Sequence, residues 1–156
     1  MEINTQIDVY LKARAPKEHE NRMLDILKDY IPTNPVRIID IGCARGTFLK
    51  MLAEQFPDAN LTGIDYSKEL IKHANRTLNS DKVDLIVSDA LNYSPSELFD
   101  IGIVSGVLSI FDDFQGPLKK WLSWLNANGR LFVFGVFNSN NIDTIIKFRN
   151  NEVRVN

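Results

Sequence analysis

Apolar residues run along this chain in two alternating rhythms. From Glu18 to Ile31, Met23, Leu24, Ile26, Leu27, Tyr30 and Ile31 recur at the spacing of one helical face, and IPTNP ends the run. VRIIDI, 36 to 41, is an unbroken apolar and β-branched stretch that predicts a strand buried on both faces. Phe48, Leu49, Met51, Leu52 and Phe56 return to helical spacing until PDAN. The alternation then repeats. LTGID, 61 to 65, reads as strand, and SKELIKHANRTL, 67 to 78, as helix with Ser67 as its N-cap. VDLIVSD, 83 to 89, is a third strand, ALNYSPSELF at most a short helix, and FDIGIVSGVLS, 99 to 109, opens with a fourth strand. Pro117 to Asn126 predicts a helix with Leu118, Trp121, Leu122 and Leu125 on one face, stopped by Gly129, before a fifth strand RLFVFGVF, 130 to 137. Strands separated by helices predict an α/β fold: a doubly wound, mainly parallel sheet with helices on both faces, since each right-handed crossover lays its helix on the sheet. Three segments follow: an N-terminal helical segment 1–35, a core 36–137, and a tail 138–156 in which IDTIIKF is a short helix.

Composition narrows the classes. A length of 156 residues with 44% hydrophobic and 24% charged residues suits one globular domain. The net charge of -2 offers no global attraction to nucleic acid or to an anionic membrane. MEINTQIDVY lacks the apolar stretch of a signal peptide, and no run approaches the roughly 20 apolar residues of a membrane span, so the expected setting is cytoplasmic. Cys43 has no disulfide partner, and His19 and His73 have no zinc-site spacing, so no metal is expected. His73 reads as a solvated surface histidine, Trp121 and Trp124 as core and partly exposed packing, and Lys119 and Lys120 as a solvated face.

The chemistry concentrates in IIDIGCARGTF, 38 to 48. Asp40 is followed by small residues at Gly42, Ala44 and Gly46, and a helix starts directly afterwards. Glycine allows positive φ and close approach of backbone to a ligand, whereas alanine adopts such angles at a cost. The N–H groups opening the helix favour an anionic group. A tight structural turn explains this loop equally well by itself. Asp65 changes the balance, because it closes the second strand nineteen positions after Gly46, where a carboxylate can accept from both hydroxyls of a ribose. Asp89 ends the third predicted strand and precedes Ala90. The nicotinamide-dinucleotide fingerprint places a third glycine at position 47, where Thr47 stands.

With these residues the chain resembles the class I S-adenosylmethionine-dependent methyltransferases, from about Arg37 to Phe137. IIDIGCARG resembles their first motif with alanine at its middle glycine, LTGIDYS the second-strand motif, VSDALNY the segment that meets the adenine, and LNANGRLFVF the approach to the fifth strand. The resemblance implies a Rossmann-like methyltransferase fold and S-adenosylmethionine as cofactor, leaving S-adenosylhomocysteine as product. It implies cofactor contacts at Asp40, Gly42, Cys43, Ala44, Gly46, Asp65, Tyr66, Asp89, Ala90 and Ser105, with Cys43 contributing backbone. Ser105, Gly106, Val107 and Leu108 are expected to line the acceptor pocket, with no catalytic base assigned, and Tyr10, Leu11 and the 18–31 helix to cover the cofactor or the acceptor entrance.

The family's closing strand hairpin has no counterpart after Phe137. The tail therefore reads as the cut end of a larger domain, or as leaving a fifth-strand edge for a homodimer to cover. The expected function is methyl transfer to a small-molecule acceptor. A non-catalytic S-adenosylmethionine-binding domain, and more remotely a NAD-dependent oxidoreductase, stand as alternatives.

Overall fold

A computed structural model describes residues 7–12, 16, 18–31, 35–78 and 80–135. Its five strands, β1 (Arg37–Ile41), β2 (Asn60–Asp65), β3 (Val83–Val87), β4 (Phe99–Ser105) and β5 (Leu125–Phe134), form one sheet in the order β3-β2-β1-β4-β5. Every neighbouring pair is parallel. The order reverses at β1, so a crevice opens at its carboxyl end. Helices α1 (Ile7–Lys12), α2 (Glu18–Lys28), α3 (Thr47–Gln55), α4 (Lys68–Thr77) and α5 (Gln115–Leu122) complete the doubly wound α/β architecture expected from the pattern.

Alternation along β1 decides which residues meet which helices. Ile38 packs with Met23 and Leu27 of α2, Leu49 and Leu52 of α3, and Ile71 and Ala74 of α4. Ile39 and Ile41 point to the other face and pack with Trp121 and Trp124. Asp40 is two residues beyond Ile38, so it projects beneath the α2 and α3 layer. It lies in register with Gly63 of β2 and Ile103 of β4. A carboxylate is thereby carried into the interior by strand parity alone.

Several boundaries differ from the sequence pattern. The helix expected at 117–126 runs from Gln115 to Leu122, and Leu125 instead opens β5 opposite Phe99. Phe99 N–H donates to the Trp124 carbonyl, so sheet pairing claims a segment whose apolar spacing also suits a helix. Leu122 is 49% exposed and Trp124 is buried, the reverse of a shared helical face. Gly129 is not a helix stop. Pairing of β5 breaks after Leu125 and resumes at Arg130, and a Cβ on Gly129 would lie 2.8 Å from Leu125 Cβ within that irregularity. ALNYSPSELF forms no helix, because the Asp89 carbonyl accepts from Asn92 and Tyr93 N–H and turns the chain. The 138–156 tail, with its expected short helix, and any strand hairpin beyond β5 lie outside the described residues.

Candidate functional site

The segment between β1 and α3 is held in an unusual conformation by the end of β2. Gly42 and Gly46 have φ of 77° and 76°, and Ala44 lies between them at 48°. A left-handed non-glycine residue costs about 1–2 kcal/mol. Here the Ala44 N–H donates to Asp65 Oδ2 at 2.9 Å, and a hydrogen bond to a charged group, at about 1.5–3 kcal/mol, offsets that strain. Gly42 and Cys43 N–H both donate to the Ile64 carbonyl, and Gly46 N–H to that of Cys43. The loop is thus fastened to the end of β2 through both backbone and side chain.

Asp65 has a structural duty that the sequence did not reveal. It is 7% exposed, and its second oxygen, Oδ1, accepts from Ser67 N–H at 2.9 Å. Ser67 in turn caps α4 by accepting from Leu70 N–H. Burial raises the Asp65 pKa, and the two backbone donors pull against it without cancelling it.

Asp40 is in a different state. It is 4% exposed, and among the described residues its carboxylate accepts no hydrogen bond. Its pKa is pushed up to about 7, first by burial, then by the carboxylates of Glu20 and Asp65. Asp40 therefore sits near its ionisation midpoint at neutral pH.

Two adjacent chambers open over the loop. The larger, about 320 Å³, has walls from Ile64, Leu70, Val107, Ile110 and Phe111, with Asp65, Tyr66, Asp89 and Ala90 around it. The smaller, about 80 Å³, is lined by Asp40 and Cys43 with Glu20, His19 and Met23 of α2, and Arg45. Tyr10, Gly42, Ala44 and Ser105 border both. One end is thus apolar and wide, the other narrow and acidic. A still larger groove, about 830 Å³, runs between α2 and the β5 residues Phe132 and Phe134. It touches neither the loop nor Asp65, and its polar lining, Glu18, His19, Arg22 and Asp25, comes from α2 alone.

Of the residues singled out from sequence, Asp40, Gly42, Cys43, Ala44, Asp65, Tyr66, Asp89, Ala90 and Ser105 all border one chamber or the other. Gly46 does not. A Cβ there would lie 2.5 Å from Leu78 Cδ1 and 3.1 Å from Ala74 Cβ, so this glycine is required where α3 starts against α4. The Cys43 side chain turns toward Gly63 in the core, and burial pushes its thiol pKa up, which leaves no reactive thiolate. Asp89 lies beyond the end of β3, exposed, with its carboxylate accepting from Leu91 N–H and Asn92 Nδ2. Trp121 Nε1 donates to the Ala90 carbonyl at 3.3 Å, tying that wall to α5.

Other expectations shift. Leu108 is buried in the second core, and Ile110 and Phe111 line the larger chamber in its place. His73 is half-buried with Nδ1 enclosed and, among the described residues, without a hydrogen-bond partner, not a solvated surface histidine. The sequence pattern does not mark Glu20 or His19 as site residues. The available signal is the spacing of Glu20 to Met23 and Leu27, which sets it on the buried stripe of α2. Tyr10 and α2 do border the chambers, and Arg45 Nη1 donates to the Leu11 carbonyl, which joins α1 to the loop. Among the described residues no helix is long and apolar enough to cross a membrane, and no group of three His, Cys, Asp or Glu side chains gathers as for a metal ion.

Known proteins resemble this chain in sequence and fold. Residues 39–131 match the family described as methyltransferase domain. Malonyl-[acyl-carrier protein] O-methyltransferase of Acetivibrio thermocellus is 29% identical over 119 residues, an alignment covering 76% of this chain and 42% of that protein. Carboxy-S-adenosyl-L-methionine synthase of Nautilia profundicola is 37% identical over 123 residues, covering 76% and 50%. The crystal structure of N-methyltransferase NodS from Bradyrhizobium japonicum WM9 in complex with S-adenosyl-l-homocysteine aligns with a TM-score of 0.68 at 25% identity, covering 81% of this chain and 69% of that one. The chain spans about half the length of the curated relatives it matches.

Proposed function

The chain belongs to the methyltransferase domain family, and from that premise we propose that it binds S-adenosylmethionine in the two chambers over the 42–46 loop and serves transfer of the methyl group to a small-molecule acceptor. The observation that carries the reading is Asp40, a buried carboxylate with no hydrogen-bond donor among the described residues, at the narrow end of a cleft whose wide end is apolar. A cofactor with a cationic amino-acid end, a ribose and an adenine has the matching polarity. The residues present fit it: Asp40 and Glu20 for the cationic end, the remaining acceptor capacity of Asp65 for ribose hydroxyls, and Ile64, Leu70, Val107 and Phe111 for the base, with Tyr66, Asp89 and Ala90 beside it.

When bound, the cofactor supplies a methyl group already activated by its sulfonium. The work left to this chain is positioning and exclusion of water. Gly42 keeps the cleft open, because a Cβ there would strike Val107 Cγ2 across it. The Ser105 to Phe111 segment, following β4, offers the acceptor a mostly apolar wall, and no side chain there is assigned a proton-abstracting role. The core at 36–137 holds the cofactor. The absence of nucleic acid among its partners is supported by the net charge of -2, and a homodimer across β5 by the exposed Phe134 at that edge.

A second reading, formation of a carboxylated cofactor, draws on the 37% identity to the Nautilia synthase. Product mass separates the two, since one gives a methylated acceptor and the other a heavier cofactor.

The decisive experiment is calorimetric titration of the chain with S-adenosylhomocysteine, with NADH as control and Asp65→Ala as the test of place. Saturable binding of the first ligand alone, lost in the variant, is expected. Binding of NADH instead, or undiminished binding by folded Asp65→Ala, overturns the proposal.

A further inference from the structure

The loop motif asks for small residues at 42, 44 and 46 and leaves position 45 open. Arg45 fills it, half-buried, and its side chain reaches from the loop to α1. Nε donates to Thr47 Oγ1 at 3.0 Å and Nη1 to the Leu11 carbonyl at 3.3 Å. The first bond braces the planar guanidinium against the start of α3, and the second presents a charged donor to α1. Leu11 is the last residue but one of a six-residue helix, so its carbonyl has no acceptor role inside that helix and takes its donor from Arg45. A helix this short does not persist by its own hydrogen bonds and depends on what it docks against. Here it rests on α4 and is tied to the loop. Tyr10, the residue before Leu11, borders both chambers. The loop that Asp65 fastens to β2 at Ala44 therefore holds, one residue later, the helix that brings Tyr10 to the cleft.

We propose that Arg45 is a positioning residue for cofactor binding: it holds α1 against the loop so that Tyr10 walls the side common to the two chambers. This rests on the cofactor reading above for the ligand, whereas the tie itself belongs to the free chain. Affinity then scales with the fraction of molecules in which α1 is docked, and losing the tie lowers it by that fraction. A helix outside the 39–131 match thereby becomes part of the site through a side chain inside it. Direct contact between the guanidinium and the carboxylate of the cofactor's amino-acid end is a different role, and it gives a different result in the experiment.

Hydrogen exchange on the ligand-free chain reads the tie: Arg45→Ala is expected to speed exchange of the α1 amides about tenfold and to leave those of β1 and β2 unchanged. Calorimetry reads the consequence with two ligands, S-adenosylhomocysteine and 5′-methylthioadenosine, which keeps the adenosine and thioether but lacks the amino acid. Both are titrated into the wild type, Arg45→Ala, Arg45→Lys, Tyr10→Ala and the double variant Arg45→Ala with Tyr10→Ala, with circular dichroism confirming the fold of each. Arg45→Ala is expected to weaken both ligands alike, by about tenfold. Arg45→Lys is expected to recover part of the loss, since a single ammonium serves the Leu11 carbonyl without the brace on Thr47. The double variant is expected to bind no worse than Tyr10→Ala, because the two side chains act in series. A loss confined to S-adenosylhomocysteine assigns Arg45 to the amino-acid end, additive losses separate it from Tyr10, and unchanged exchange of α1 denies the tie; each of these overturns the proposal and leaves the cofactor reading standing. If neither ligand binds the wild type, the cofactor reading falls and takes this role of Arg45 with it.

Discussion

Replacing Asp40 by Asn tests the energetics of the site without any ligand. The carboxyl titrates at about 7 in the folded chain against an ordinary value of 3.8. Below pH 4 it is protonated in both folded and unfolded chains and costs nothing. Between pH 4 and 7 the unfolded chain releases the proton while the folded chain keeps it, so stability falls as pH rises, and above pH 7 the cost stays constant. The interval from 3.8 to about 7, at about 1.4 kcal/mol for each pH unit, is worth about 4 kcal/mol. Asn has the same shape and no charge to desolvate. Asp40→Asn is therefore expected to match the wild type within about 1 kcal/mol at pH 4 and to exceed it by about 2–4 kcal/mol at pH 8, the lower figure allowing for relaxation around a buried charge. Urea unfolding of both chains at intervals from pH 4 to 8.5 measures the difference directly, and carboxylates that do not interact with Asp40 cancel in it. A difference that does not change with pH, or a wild type more stable than the variant at pH 8, refutes the claim that Asp40 is buried without compensation. Saturating S-adenosylhomocysteine should reverse the order at pH 8, since the wild type alone gains the ammonium contact.

Gly46→Ala combines a φ of 76° with a Cβ placed 2.5 Å from Leu78, and is expected to destabilise the chain by about 2–4 kcal/mol in urea unfolding while the folded fraction keeps its S-adenosylhomocysteine affinity. A selective loss of affinity with unchanged stability would return Gly46 to the binding surface. Cys43 is expected to resist iodoacetamide in the native chain at pH 8 and to be alkylated only on unfolding, as read by intact mass, because its thiol is buried with a raised pKa. Rapid native labelling would mean that the loop opens.

How much of this is legible in the chain depends on what each residue interacts with. Ile38, Asp40, Gly42 and Ser67 act through local rules: strand parity, positive φ and a helix cap. All of these leave periodic or positional marks in sequence. The alternation of elements marks the doubly wound class for the same reason. Leu125 and Gly129 mislead because the helical period and the strand pairing opposite Phe99 compete for the same residues, and the second depends on a partner 26 positions away. Gly46 reads as a ligand contact because nothing local records Leu78 lying behind it. Glu20 gives only its place on an amphipathic stripe, and the fact that a carboxylate waits opposite is a property of the assembled layer.

The contrast between Asp40 and Asp65 carries the functional argument further than either motif does. Both end up buried on the same side of adjacent parallel strands, Asp40 level with Gly63 and Asp65 two residues beyond it. From sequence they look equivalent, each an acid after a short apolar run. In the fold, Asp65 has found backbone donors from the loop and from the start of α4, so removing it loosens the site and the architecture together. Asp40 has found none among the described residues, and faces another acid. A group that lowers stability where it stands, and that a neutral isostere would relieve, is kept only if something outside the chain completes it. Asp65→Ala and Asp40→Asn should therefore part company: both weaken cofactor binding, but the first lowers stability and the second raises it.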